Sequence, residues 1–106
     1  MLTKNIEIMK TIKVKVRISG GLAPDSIRVE IKNVDTREEI EYESPTSFNQ
    51  DFNIESGRYT LQLFGMNPIK GKTEIEVVGS FTRGPFHNAK RVTAKPFITE
   101  LFYFEI

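Results

Sequence analysis

Hydrophobic and polar residues alternate along most of this chain with a period of two. Ile12, Val14, Val16 and Ile18 interleave with Lys13, Lys15 and Arg17, the pattern of a strand with one face in the core and the other in water. Ile27, Val29 and Ile31 interleave with Arg28, Glu30 and Lys32, and Ile40 and Tyr42 sit between Glu39, Glu41 and Glu43. Phe48, Phe52 and Ile54 mark a strand over residues 48–55, Tyr59, Leu61 and Leu63 another, and Ile75 and Val77 a sixth that runs toward Phe81. The chain closes with an apolar run over residues 97–106. Thr36 and Glu39 match a helix capping box, but no apolar stripe of period 3.6 follows them, so no helix is predicted there.

Turn residues fall between these runs. Gly20-Gly21 with Pro24-Asp25, Ser56-Gly57, Gly65 to Pro68 and Gly84-Pro85 each interrupt the alternation, as expected where Pro and Gly are confined to strand ends and loops. Residues 82–96 are polar and basic, which predicts a long loop holding one short strand near residues 91–94. About seven short strands joined by short connections predict an all-β, antiparallel β-sandwich, immunoglobulin-like or prealbumin-like, with a closed five- or six-stranded barrel as the alternative. At 106 residues the expectation is one domain over residues 1–106. Residues 1–8 are a candidate extension, since Met9 could also begin the chain, although Ile6 and Ile8 continue the alternation.

Composition supports this reading. The chain holds 12 Ile, 7 Val, 9 Thr and 11 Phe or Tyr, against 5 Leu and 3 Ala. Branched and aromatic side chains suit a pleated sheet, whereas Ala and Leu favour helices. The imbalance excludes a helical bundle and argues against alternating βα units. With no Cys there is no disulfide scaffold, thiolate metal site or cysteine nucleophile. A chain of this size buries roughly two thirds of its unfolded surface without such staples.

The stretch Gly57-Arg58-Tyr59-Thr60-Leu61-Gln62-Leu63 resembles the G-x-Y-x-L-x-L strand of prealbumin-like and collagen-adhesin B-type β-sandwich domains, where it follows a phenylalanine-bearing strand as residues 48–55 do here. The resemblance extends in pattern over residues 12–81, and it implies the sandwich fold and a role as a surface, stalk or regulatory module. Some adhesin domains of that type form a Lys–Asn isopeptide bond. Lys13 and Lys15 are placed on the solvent face by the alternation, and residues 102–106 offer no Asn or Asp acceptor, so that chemistry is not expected.

Fifteen basic and 14 acidic residues give a net charge of +1, which points to neither a polyanion nor a membrane surface as partner. No apolar run reaches the ~20 residues of a membrane span. Lys4, Asn5, Glu7, Lys10 and Lys13 interrupt any leader-like segment, which leaves a cytoplasmic protein or an exported one whose signal peptide has been removed.

Candidate chemistry is sparse. The single His87 lies in a loop without a nucleophile elbow around any Ser, so no catalytic residues are assigned and no enzyme is expected. Asn49, Asp51, Asn53 and Glu55 have the spacing of a calcium loop's opening, yet Ile54 and Thr60 stand where an EF-hand needs Gly and Glu. No metal ligand or cofactor is assigned. Charge is segregated: residues 35–55 carry seven acids and one base, and residues 83–95 carry Arg83, Lys90, Arg91 and Lys95 with no acid. Arg83, Phe86, His87, Lys90 and Arg91 therefore form a candidate binding surface, and with Tyr42 a candidate glycan or nucleic-acid site. The absence of Trp weakens the glycan version, and the near-neutral charge weakens the nucleic-acid version.

The last strand is apolar on both faces. Phe102, Phe104 and Ile106 share one face, and Leu101 and Tyr103 the other. In a two-layer sandwich the outer face is normally wet, so Leu101 and Tyr103 are a candidate interface for self-association or a protein partner, unless loop 82–96 covers them. The sequence thus predicts a non-catalytic structural or binding module of a surface, adhesion or macromolecular assembly. Loops 20–25, 65–72 and 82–96 are the places where such a scaffold carries function.

Overall fold

A computed structural model describes residues 9–20, 26–86 and 88–106. Eight strands run in chain order: β1 (Lys10–Ser19), β2 (Ile27–Asn33), β3 (Glu39–Ser44), β4 (Phe48–Ile54), β5 (Arg58–Met66), β6 (Lys72–Val78), β7 (Lys90–Thr93) and β8 (Phe97–Glu105). They form two four-stranded antiparallel sheets, ordered β4-β1-β6-β7 and β3-β2-β5-β8. The sheets lie face to face with open edges. This is the predicted sandwich, and the barrel alternative is overturned because β3 and β4 on one flank and β7 and β8 on the other do not pair.

Alternation explains the burial. Ile12, Val14 and Val16 of β1 and Ile75 and Val77 of β6 turn inward from one sheet. They meet Ile27, Val29 and Ile31 of β2, Leu61 and Leu63 of β5, and Ile98, Phe102 and Phe104 of β8 from the other. Tyr59 stacks on Phe104 (centroids 5.7 Å apart, 20° between planes) and donates its hydroxyl hydrogen to the Glu55 carbonyl (2.8 Å). Burying a ring while its polar end finds an acceptor is the usual condition for a core tyrosine.

One expectation needs correction. β6 ends at Val78 and does not extend to Phe81. Phe81 instead folds inward against Phe104 with ring centroids 4.9 Å apart, so its burial comes from packing and not from strand pairing. Tyr42, named for the glycan or nucleic-acid site, is half-buried and packs against Phe48 (5.0 Å) and Phe52 (5.9 Å) at the rim of the core. Residues 1–8 and 21–25, which include the candidate extension and most of the first loop, lie outside the described residues.

Lys13 is directed outward beside Asp51 (3.9 Å) and Lys15 is exposed, as the alternation requires. The outer face of the second sheet carries opposite charges across β2 and β3: Arg28 contacts Glu41 (2.5 Å) and Lys32 lies 3.7 Å from Glu39. Four acids of the segment, Asp35, Glu39, Glu41 and Asp51, are thus paired with Arg58, Lys32, Arg28 and Lys13, outside the basic loop. Cross-strand pairs of this kind fix register more than they add stability.

Candidate functional site

Strand β8 and the connection from β6 to β7 occupy one flank of the sandwich. From Arg83 to Phe86 the chain lies alongside the upper end of β8. Arg83 and Glu105 exchange backbone hydrogen bonds (N–H to carbonyl 3.2 and 2.9 Å), Thr82 N donates to Glu105 O (2.8 Å), and Phe86 N donates to Tyr103 O (3.1 Å). The Phe86 ring stacks on Tyr103 with centroids 5.6 Å apart and 23° between planes. The Arg83 guanidinium sits 5.8 Å from the Phe86 centroid on an otherwise exposed side chain, and its Nη1 lies 3.9 Å from a Glu105 oxygen.

Gly84 makes this approach feasible. Its φ is +81°, and a Cβ there would stand 2.7 Å from the Tyr103 carbonyl oxygen. Only a residue without a side chain fits both the left-handed backbone and the contact.

Arg91 stands apart from the other basic residues of the loop. It donates from Nη1 to Glu100 Oε1 (3.2 Å) and the Leu101 carbonyl (2.8 Å), from Nη2 to the Phe86 carbonyl (3.0 Å), and from Nε to the Asn88 carbonyl (3.1 Å). Its Cζ lies 3.8 Å from the Phe102 centroid, and its side chain is 16% exposed. In β7 the apolar Val92 faces outward and Arg91 inward. At this edge the inward direction leads to the rim between the sheets, where a long stem packs and a charged head still finds acceptors. Lys90 is exposed, and His87 lies outside the described residues. The structure thus gathers Arg83, Phe86 and Arg91 around β8, but it spends the Arg91 donors on the protein itself.

Below Tyr103 the flank is different. Leu101 is 52% exposed and Phe97 67%. Cross-strand neighbours Met66 (beside Phe97), Phe64 (beside Thr99) and Gln62 (beside Leu101) share that outer face. Phe97 was not singled out from sequence, because alternation alone does not say which face of a doubly apolar strand is covered. Loop 82–96 covers Tyr103 through Phe86, while Leu101 stays open.

A second feature lies where the β5–β6 and β7–β8 connections meet. Asn67, nearly fully buried, donates through Nδ2 to the carbonyls of Thr93 (3.1 Å) and Lys95 (2.5 Å) and accepts from Thr73 Oγ1 (2.6 Å). Its backbone N–H donates to Pro96 O (2.9 Å). This polar knot fixes the entry into β8. Sequence reasoning flagged loop 65–72 but not Asn67, since a buried polar turn residue leaves no hydropathy signal.

Among the described residues no group of His, Cys, Asp and Glu is arranged to hold a metal ion. In the row of calcium-like spacing, Asn53 accepts from Thr11 Oγ1 (2.7 Å) and Asp51 faces Lys13. A depression of about 590 Å³ lies open on the outer face of the first sheet between Lys15, Arg17, Glu74, Glu76 and Lys90. No helix of the described residues is long and apolar enough to cross a membrane. Compared with known protein families, curated proteins and solved structures, the chain matches none.

Proposed function

We propose that this chain is a non-catalytic structural or binding module of a surface, adhesion or macromolecular assembly, and that it meets a protein partner through the β8 flank. The observation that carries this reading is the lower half of β8. It is an edge strand whose outer face exposes Phe97 and Leu101, two positions on either side of the equally outward Thr99. Exposed apolar patches continuous with an open strand edge are where soluble proteins bind one another. The fold reading that accompanies it is prealbumin-like, on the strength of residues 57–63 in β5. β1 and β2 lie in opposite sheets, whereas the first two strands of a constant-type immunoglobulin domain share one.

The alternative, a glycan or nucleic-acid site on loop 82–96, is supported less. Arg91 is enclosed by four acceptors, and one face of Phe86 is stacked on Tyr103. Arg83, Lys90 and Lys95 keep exposed charges, but three cations make a small electrostatic footprint. A thermal-shift screen with calcium, oligosaccharides and single-stranded DNA separates the readings, because a ligand bound to the folded state raises the melting temperature. The module reading expects no shift with any of the three. It also expects a photo-crosslinker at Leu101 to form protein adducts in the source cells where one at Glu43 forms none. A shift with DNA or oligosaccharide that Arg83→Glu and Lys90→Glu abolish would replace it with the ligand-binding reading.

A further inference from the structure

The four sheet edges differ in what they offer a second chain. β3 presents Glu39, Glu41 and Glu43, so pairing with its own copy would set acids against acids. β4 presents Asn49, Asp51 and Asn53, and β7 has four residues and carries Lys90. Charges and short length are the usual protection of an edge. β8 has nine residues, and the outer row of its lower half, Phe97, Thr99 and Leu101, is uncharged.

The direction of the backbone groups is settled by the upper half of the same strand. The outward partners of Leu101, Tyr103 and Glu105 are Arg91, Phe86 and Arg83. In an antiparallel ladder alternate residues point away from the neighbour, so Thr99 and Phe97 also direct N–H and C=O away from β5. Among the described residues nothing meets those groups. The segment 82–86 covers positions 103–105 and leaves a stretch of five residues open.

We propose that this stretch pairs, antiparallel and about a two-fold axis at Thr99, with the same stretch of a second copy of this chain. This rests on the reading of β8 as a protein-binding flank and names the partner. The register is self-matching: Thr99 faces Thr99, and Phe97 faces Leu101 of the second copy. Isologous contacts require this reciprocity. No charge of the outer row meets a like charge. The Leu101 carbonyl, already bonded to Arg91, has a second lone pair for the incoming N–H. The next outward pair would set Lys95 against Tyr103, where segment 82–86 already lies, so each copy's own loop limits the ladder. A five-residue ladder makes a small interface, and the dimer is therefore concentration-dependent.

Sedimentation velocity from about 10 µM to about 1 mM, two decades in concentration, reads it directly. The wild type is expected to shift from monomer toward dimer over this range. Thr99→Lys and Thr99→Glu each place like charges face to face at the axis and weaken association by about tenfold or more. An equimolar mixture of the two restores it, because opposite charges then meet. Thr99 is exposed, so in dilute solution, where the wild type is monomeric, both variants keep its melting temperature, and the mixture reports on contact alone. A wild type that stays monomeric, or a dimer indifferent to both substitutions, overturns the proposal. A monomer whose Leu101 crosslinks to other proteins overturns the dimer and leaves the module reading in place. A DNA- or oligosaccharide-dependent thermal shift overturns the module reading itself.

Discussion

Arg91 of β7 and Glu100 of β8 join the two sheets at their rim, Nη1 to Oε1 at 3.2 Å, with both side chains largely shielded from water. The guanidinium carbon lies 3.8 Å from the Phe102 ring centroid, and its other donors hold the carbonyls of Phe86, Asn88 and Leu101. Removing it strands several acceptors and a carboxylate. Arg91→Ala is expected to lower stability by about 2–4 kcal/mol in urea denaturation, between the values for exposed and fully buried pairs. Arg91→Lys should recover a minor part, because an ammonium cannot reproduce the planar fork. A loss within about 0.5 kcal/mol, the range of ordinary surface changes, would show that the contacts are incidental.

Asn67 organises the other end of the same flank. Asn67→Ala leaves the Thr73 hydroxyl and the Thr93 and Lys95 carbonyls without their partner in a buried setting. The expected loss is about 3 kcal/mol, at the upper end for unsatisfied buried groups. Thr73→Val, which removes one of the three bonds, should cost about 1 kcal/mol. Equal losses for the two variants in the same denaturation assay would contradict this distribution.

Arg58 donates to both carboxylate oxygens of Asp35 across the β2–β3 turn and holds that carboxyl below its ordinary range, since the hydrogen bonds and charge favour the ionised form. A depressed folded-state pKa contributes stability above the unfolded value of about 3.9. That contribution is lost as pH falls through the folded value. Asp35→Asn should therefore be less stable than wild type near neutrality and converge with it in strong acid. The pair is half exposed, so the difference should also shrink with salt. A pH-independent difference would assign the effect to the turn itself, whose backbone is also held by Asn33 Oδ1 accepting from Asp35 N and Thr36 N (2.9 Å each).

Gly84 controls how much of β8 stays covered. Gly84→Ala places a methyl group against the Tyr103 carbonyl and forces a left-handed alanine, at a cost of about 1–2 kcal/mol. The segment 82–86 should lift, and the Glu105 amide, which donates to Arg83 O (2.9 Å), should exchange faster with deuterium while the β1–β6 amides keep their rates. Uniform acceleration throughout the molecule would mean global destabilisation instead.

The sandwich was legible wherever a strand has one wet face. Ile12 to Ile18 and Ile27 to Ile31 declare their strands and buried faces by alternation, and the turn residues bound them. Sheet order was not legible, because the same alternating pattern fits any neighbour. The flank was read in part. Leu101 stands out by alternation but Phe97 does not, and Arg91 reads as one base of a candidate binding surface although its position in β7 turns it toward Glu100. A four-residue edge strand with valine outward and arginine inward inverts the rule that makes longer strands readable. The sixth strand stops at Val78, short of Phe81, because an aromatic residue that folds inward from a loop has the composition of a strand without its pairing.

The central claim is that β8 keeps its upper edge for its own chain and turns the lower edge outward for another. Residue-resolved hydrogen exchange across protein concentration tests it most directly. In dilute solution the Thr99 amide is expected to exchange fast, while Phe86 and Glu105, whose hydrogens are held by Tyr103 O and Arg83 O, exchange slowly. At high concentration Thr99 should become protected and the other two should change little. Strong protection of Thr99 in dilute solution, or fast exchange of it at every concentration, would contradict the account.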